Sequence, residues 1–218
     1  MKILYKALIS RCAVHETRID ELRKLRPSLD DWTFDRLTES LMSDIWQTWC
    51  LYCRNVVHAS CRGGECLNGA IIVKRTSVHD NSWKRLGYEA RNRKNISSTS
   101  VNGHHNFLMR YEPTWGDLSV MIDVIQAINP INKNQLLIAF GMGLTSINHL
   151  QKARNACAHK NVETISELSS QMVIHYNFSH LKKPSELAWS FLRGSHTFAF
   201  HNWLYEMRTI AMHASSKL

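Results

Sequence analysis

The chain has 218 residues, 44% of them hydrophobic and 21% charged, and its 27 Lys and Arg against 18 Asp and Glu leave a net charge of +9. That length fits one domain spanning residues 1–218 with an insertion, and it buries a core without disulfide or metal staples. No stretch approaches the ~18 uninterrupted apolar residues of a membrane span, and Lys6 and Arg11 break the apolar run a signal peptide would need. A soluble, cytoplasmic protein with no membrane contact is therefore expected, and the positive balance favours a polyanionic partner such as nucleic acid.

Residues 2–26 read as a helix, with Leu4, Leu8, Cys12, Ile19 and Leu22 on one face and charges on the other, ended by Pro27. Asp30 or Asp31 caps a second helix. There Phe34, Leu37, Leu41, Ile45, Trp49, Cys53 and Val56 recur at helical steps until Gly63 and Gly64 stop it. From about residue 62 to 115 the period is lost, and the segment reads as an irregular basic insertion. Ala70–Val73 fits a short strand or an apolar helical turn, and 95–103 reads as loop.

Between Leu67 and Tyr111 eight Lys or Arg face only Asp80 and Glu89, with Trp83 and Tyr88 interleaved. Charge for phosphates and rings for bases are what a single-stranded RNA groove needs. Lys74, Arg75, Lys84, Arg85, Arg91, Arg93 and Lys94 are thus candidate RNA contacts. A solvated surface insertion packed down by its aromatics is the equally weighted alternative.

Helix then returns. Asp117 caps Leu118–Ile128, ended by Asn129 and Pro130, and Asn132 or Asn134 opens a short helix through Phe140. Gly141 and Gly143 interrupt, and Thr145 or Ser146 opens the next helix. Asn161 closes that helix or caps its successor, from about Val162 to His175. Pro184 and Ser185 begin a last helix reaching Ile210, kinked at Gly194. The class is all-α.

Six cysteines sit at 12, 50, 53, 61, 66 and 157. Cys50-x-x-Cys53 and Cys61-x(4)-Cys66 invite a zinc reading. Against it, Cys50 and Cys53 lie inside a helical apolar pattern, where cysteine packs as a small hydrophobe. The pair His104 and His105 is a weaker ligand candidate, since adjacent loop histidines are usually solvated.

Residues 154–159 read Arg-Asn-Ala-Cys-Ala-His at the end of an amphipathic helix. An arginine holds a phosphate with a planar, always-charged fork. A histidine moves a proton near neutral pH. Together they suffice to cut RNA without metal or cofactor, because the 2′-hydroxyl is the nucleophile. Arg154, seven residues after Ile147, is expected to continue a buried stripe from Phe140, Leu144 and Ile147, where its charge needs a partner, a ligand or a second subunit. Asn155 and His159 share a face, whereas Arg154 and His159 lie ~140° apart on a straight helix. They converge on one phosphate only if the helix ends between them or if two subunits face each other. Arg54-Asn55-Val56-Val57-His58 is a shorter echo of the motif, and Arg54 and His58 are candidate auxiliary RNA contacts.

The Arg154, Asn155 and His159 pattern, flanked by helices, resembles the Arg-x(4–6)-His signature of HEPN domains. The resemblance implies an all-helical, HEPN-like bundle that forms a homodimer with both motifs in one cleft. It implies a metal-independent endoribonuclease of the toxin or anti-phage defence kind, which an antitoxin or other regulatory protein would restrain. His159 would serve as general base or acid, Arg154 would hold the phosphate and Asn155 would position Arg154 or the substrate. Products would carry a 2′,3′-cyclic phosphate and a 5′-hydroxyl. Where such toxins often carry a modified tyrosine two residues after the histidine, this chain has Asn161, so control by tyrosine modification is not expected. A non-catalytic module of the same fold and a zinc-stabilised nucleic-acid-binding regulator are the alternatives.

Overall fold

The computed structural model describes residues 1–76, 80–98 and 100–216. Among them are eight α-helices and one two-stranded antiparallel ribbon, so the chain is all-α. Helix α1, Lys2–Leu25, buries Leu8, Cys12, His15, Ile19 and Leu22 at alternating steps of four and three. Helix α2, Asp31–Arg62, starts where Asp30 Oδ1 accepts the Thr33 backbone N–H at 2.9 Å. Such a cap contributes about 1 kcal/mol. The helix ends before Gly63, which sits at φ +85°, and a Cβ there would lie 2.8 Å from the Ile72 carbonyl oxygen. Only glycine fits that approach, and it lets β1, Gly64–Glu65, pair with β2, Ile71–Ile72.

Residues 62–115, expected to be irregular, carry structure of their own. Besides the ribbon they hold helix α3, Trp83–Arg91, capped by Ser82 Oγ accepting from the Arg85 N–H at 3.2 Å. Its charged residues mask a short buried face of Leu86, Glu89 and Ala90. Three 3-10 turns follow, one of them, Ile96–Ser98, inside the expected loop 95–103. Thr99 of that loop lies outside the described residues.

Asp117 caps α4, Leu118–Ile128, by accepting from the Ser119 and Val120 N–H groups, and Asn129 ends it in the left-handed region. Helices α5, Lys133–Phe140, α6, Ser146–His159, and α7, Val162–Met172, follow. The expected final helix is broken. Pro184–Trp189 is a 3-10 turn, and α8 begins only at Ala199 and runs to Ser215. Between them Gly194, at φ +70°, makes a turn rather than a kink. The reason is a local ribbon: Leu192 N–H donates to Thr197 O at 2.9 Å, and Phe191 stacks on Phe198 at 4.5 Å.

The chain forms two compact units. One comprises Met1–Leu8, Trp49–Gly143 and Thr209–Leu218. In its core the Trp49 indole N–H donates to Gly116 O at 3.0 Å, and the Tyr52 hydroxyl donates to Ala211 O at 3.2 Å. The other comprises Ile9–Thr48 and Leu144–Arg208, with Ile19, Ile45, Ile147, Leu150, Phe200 and Trp203 fully buried. None of the described helices is long and apolar enough to cross a membrane.

Each unit buries a histidine held neutral. His58 stacks on Trp83 with ring centroids 3.5 Å apart, and burial, then Arg62 and Arg54, lower its pKa to about 4. His149 shares a hydrogen bond with the Tyr176 hydroxyl at 2.9 Å, and burial, then His175 and Lys152, lower its pKa to about 4. In the unfolded chain both rings take up protons near pH ~6.5. Between that pH and about 4 the unfolded state binds more protons, so stability falls as pH falls through this window and levels off below it. Urea melts at pH 7 and pH 4.5 should differ by about 1–2 kcal/mol for each ring, a figure discounted for residual solvent screening. An equal midpoint at both pH values would mean that the rings are not held neutral.

Candidate active site at the end of helix α6

Helix α6 is anchored at its start by a carboxylate from α8. Glu206 is buried, and its Oε2 accepts the backbone N–H groups of Ser146 at 2.8 Å and Ile147 at 3.3 Å. Burial raises its pKa, and these hydrogen bonds to the charged form pull the other way. A helix opens with N–H groups that lack intrahelical partners, so an acidic side chain placed there satisfies donors and the helix dipole together. Thr145 makes no side-chain cap, so Glu206 takes that role.

The buried face of α6 is Ile147, Leu150, Ala153, Ala156 and Cys157, together with His149. This corrects the expected stripe. The helix begins only at Ser146, so Phe140 and Leu144 are not part of it, and Arg154 is half-buried on its flank. Burial, followed by the nearby Glu39, pushes the Cys157 thiol up to about 12, so the motif's cysteine is a packing residue and not a nucleophile.

The helix does not end between Arg154 and His159. Lys160 follows at φ +49°, stopping α6 directly after His159, and its Nζ lies 2.9 Å from Glu39 Oε2. Asn161 then caps α7, its Oδ1 accepting from Thr164 N–H at 2.7 Å. This two-residue junction turns α7 back along α6.

A cleft of about 230 Å³ opens between the two helices. Lys152, Asn155 and His159 line it from α6, and Thr164, Glu167 and Gln171 from α7. Lys152 Nζ donates to Gln171 Oε1 at 2.7 Å, and Gln171 Nε2 donates to Glu167 Oε1 at 2.8 Å. Asn155 and His159 thus come together, both exposed, as their four-residue spacing requires. Arg154 is not among the lining residues, but its Nη1 donates to Asn155 Oδ1 at 3.3 Å. The arrangement sets an imidazole, an amide and an ammonium in one cleft, with a guanidinium beside it. Lys152 was missed in the sequence. Its position seven residues before His159, on the same face, is the signal that would have found it.

The expected RNA contacts divide. Arg75 is buried, donating to Glu89 Oε2 at 3.0 Å, to Ile128 O at 2.7 Å and to Asn81 Oδ1 at 3.0 Å. Its charge is consumed inside the first unit and does not face a ligand. Arg85 donates to Glu89 Oε1 at 2.6 Å, and half-buried Arg93 lies 3.7 Å from Asp123. Arg54 is clamped by Glu112 at 2.7 and 2.9 Å and lies 4.3 Å over the Trp83 ring, on which His58 also stacks. Arg54 and His58 are therefore packing partners of Trp83. Lys74, Lys84, Arg91 and Lys94 are exposed.

The six cysteines are free thiols. No group of three or more His, Cys, Asp or Glu is placed to hold a metal among the described residues. Buried His104 lies 3.4 Å from Asp80, with the tilted His105 ring 4.1 Å from its own.

No protein-family model matches the chain, and no curated protein or solved structure matches it.

Proposed function

We propose that the chain is a metal-independent endoribonuclease that acts as a homodimer, with His159 moving the proton and Arg154 holding the scissile phosphate. The observation that carries this reading is the cleft at the end of α6, where His159, Asn155 and Lys152 converge while Arg154 is tied to Asn155. In this reading His159 accepts the 2′-hydroxyl proton as that oxygen attacks phosphorus, and the 5′-oxygen leaves with a proton returned by an imidazolium. Cations at the phosphate stabilise the charge gathered in the transition state. Because Arg154 and His159 flank different sides of one helix, a second copy supplies the complementary side, which makes the dimer part of the active site. The HEPN resemblance supports the same assembly, and a toxin or defence role controlled by a regulatory protein rests on that resemblance.

The test is cleavage of single-stranded RNA with EDTA present, with the ends of the products analysed. Cyclic phosphate and 5′-hydroxyl ends from wild-type protein are the expected result. Folded protein that leaves every RNA intact sinks the reading. A second reading has one observation in its favour: Arg154 is not among the residues lining the cleft, as suits a non-catalytic module that binds RNA or nucleotide.

A further inference from the structure

A larger opening than the α6–α7 cleft lies elsewhere in the second unit. A groove of about 530 Å³ is lined by Arg23 of α1, Arg26 of the 3-10 turn that follows it, Phe34 of α2, Lys182, Trp189 and Phe198. The rings form its walls: Phe34 and Trp189 lie 5.4 Å apart and Trp189 meets Phe198 edge-on at 5.9 Å. The Arg26 guanidinium lies 4.7 Å over Phe34 and that of Arg23 lies 5.1 Å over Phe198. An adjoining groove of about 420 Å³ shares Asp31, Asp35, Lys182 and Lys183 with the first and reaches Lys160, the residue after His159.

The carboxylates here are engaged. Asp31 pairs with Arg26, Asp35 pairs with Lys183, and Glu186 accepts the Lys182 backbone N–H at 2.8 Å. The Lys182 ammonium and the ring-stacked Arg23 guanidinium are the cations these contacts leave to a ligand.

We propose that this groove binds a nucleotide, its base against the rings and its phosphate at Arg23 and Lys182. Ring faces take any base, and a guanidinium over a ring extends the same platform. The groove thus supplies the cation and ring combination sought in residues 62–115, built from residues far apart in sequence. Its adjoining branch ends beside the α6 motif, as a single strand leading to that site would need. Binding here does not depend on cleavage.

The test is fluorescence-anisotropy titration of the whole chain with a labelled 2′-O-methyl decanucleotide. That probe lacks the 2′-hydroxyl nucleophile, so the result stands whether or not the chain is a nuclease. Arg23→Ala combined with Lys182→Ala should weaken binding at least about tenfold and reduce the log-affinity against log-salt slope by about 0.7, the value for one phosphate of a single strand. Phe34→Leu, confirmed as folded by circular dichroism, should weaken it about tenfold with the salt slope unchanged. Displacement of the probe by adenosine 5′-monophosphate assigns the site to free nucleotides, and failure of displacement assigns it to a strand. Wild-type affinity in both variants, or binding of neither probe, overturns the proposal.

Discussion

Replacing His159 by alanine is expected to slow RNA cleavage by roughly 10²–10⁴-fold, the range spanned by a positioned proton-transfer group. Arg154→Ala should cost roughly 10²–10³-fold through lost stabilisation of the phosphate charge. Arg154→Lys should recover little, because an ammonium lacks the planar fork. Neither alanine variant should unfold, since His159 is exposed and Arg154 only half-buried, and circular dichroism checks this. A mixing experiment then tests whether each site draws on two copies. If each active site takes His159 from one protomer and Arg154 from its partner, a mixed dimer of the two variants contains one intact pair. Random assortment should restore about a quarter of wild-type activity. No recovery on mixing, with each variant alone inactive, would place both residues of a site in one chain and remove the dimeric active site.

The second large effect is on stability. Arg75→Ala should destabilise the first unit by about 3–5 kcal/mol, the cost of removing one partner from a buried ion pair. Three groups lose their donor at once: Glu89, the Ile128 carbonyl and the Asn81 side chain. Arg85 still reaches Glu89 at 2.6 Å, which places the expectation nearer the lower end. RNA affinity measured below the melting range should not change, because the guanidinium is buried. Denaturant melts and anisotropy on the same preparations separate these effects. A stable variant with weakened RNA binding would return Arg75 to the ligand-contacting surface.

Arg75 also shows what a linear reading loses. Its buried role depends on Glu89, fourteen residues away, and on a carbonyl in α4. Nothing in the local run of Lys74 and Arg75 distinguishes a solvated charge from a buried one. Helices α1, α2 and α4 were legible because their apolar steps are regular and their ends carry Asp, Pro or Gly. Helix α3 was not, because Lys84, Arg85 and Arg91 crowd a nine-residue run whose buried residues include the charged Glu89. The break before α8 was hidden for the opposite reason: Phe191 and Phe198 continue a helical spacing but are paired across a ribbon. At the candidate site, the shared face of Asn155 and His159 followed from spacing alone. The full burial expected of Arg154 failed: it is half-buried, and its guanidinium reaches the exposed Asn155.

The division of the chain also bears on how it is made. Residues Thr209–Leu218 belong with Trp49–Gly143, and Leu144–Arg208 with Ile9–Thr48. On the ribosome, Tyr52 waits for Ala211 and Ser215, and Gln135 for Ala214, before its hydrogen bonds exist. Glu206, which seats the first turn of α6, emerges 60 residues after Ser146. Neither unit closes until these late segments have emerged, and such non-local pairing slows folding and prolongs exposure of apolar surface. A nascent chain stalled before Glu206 would carry the Arg154 to His159 motif without the carboxylate that seats its helix, so on the proposed reading the site forms only after Glu206 has emerged.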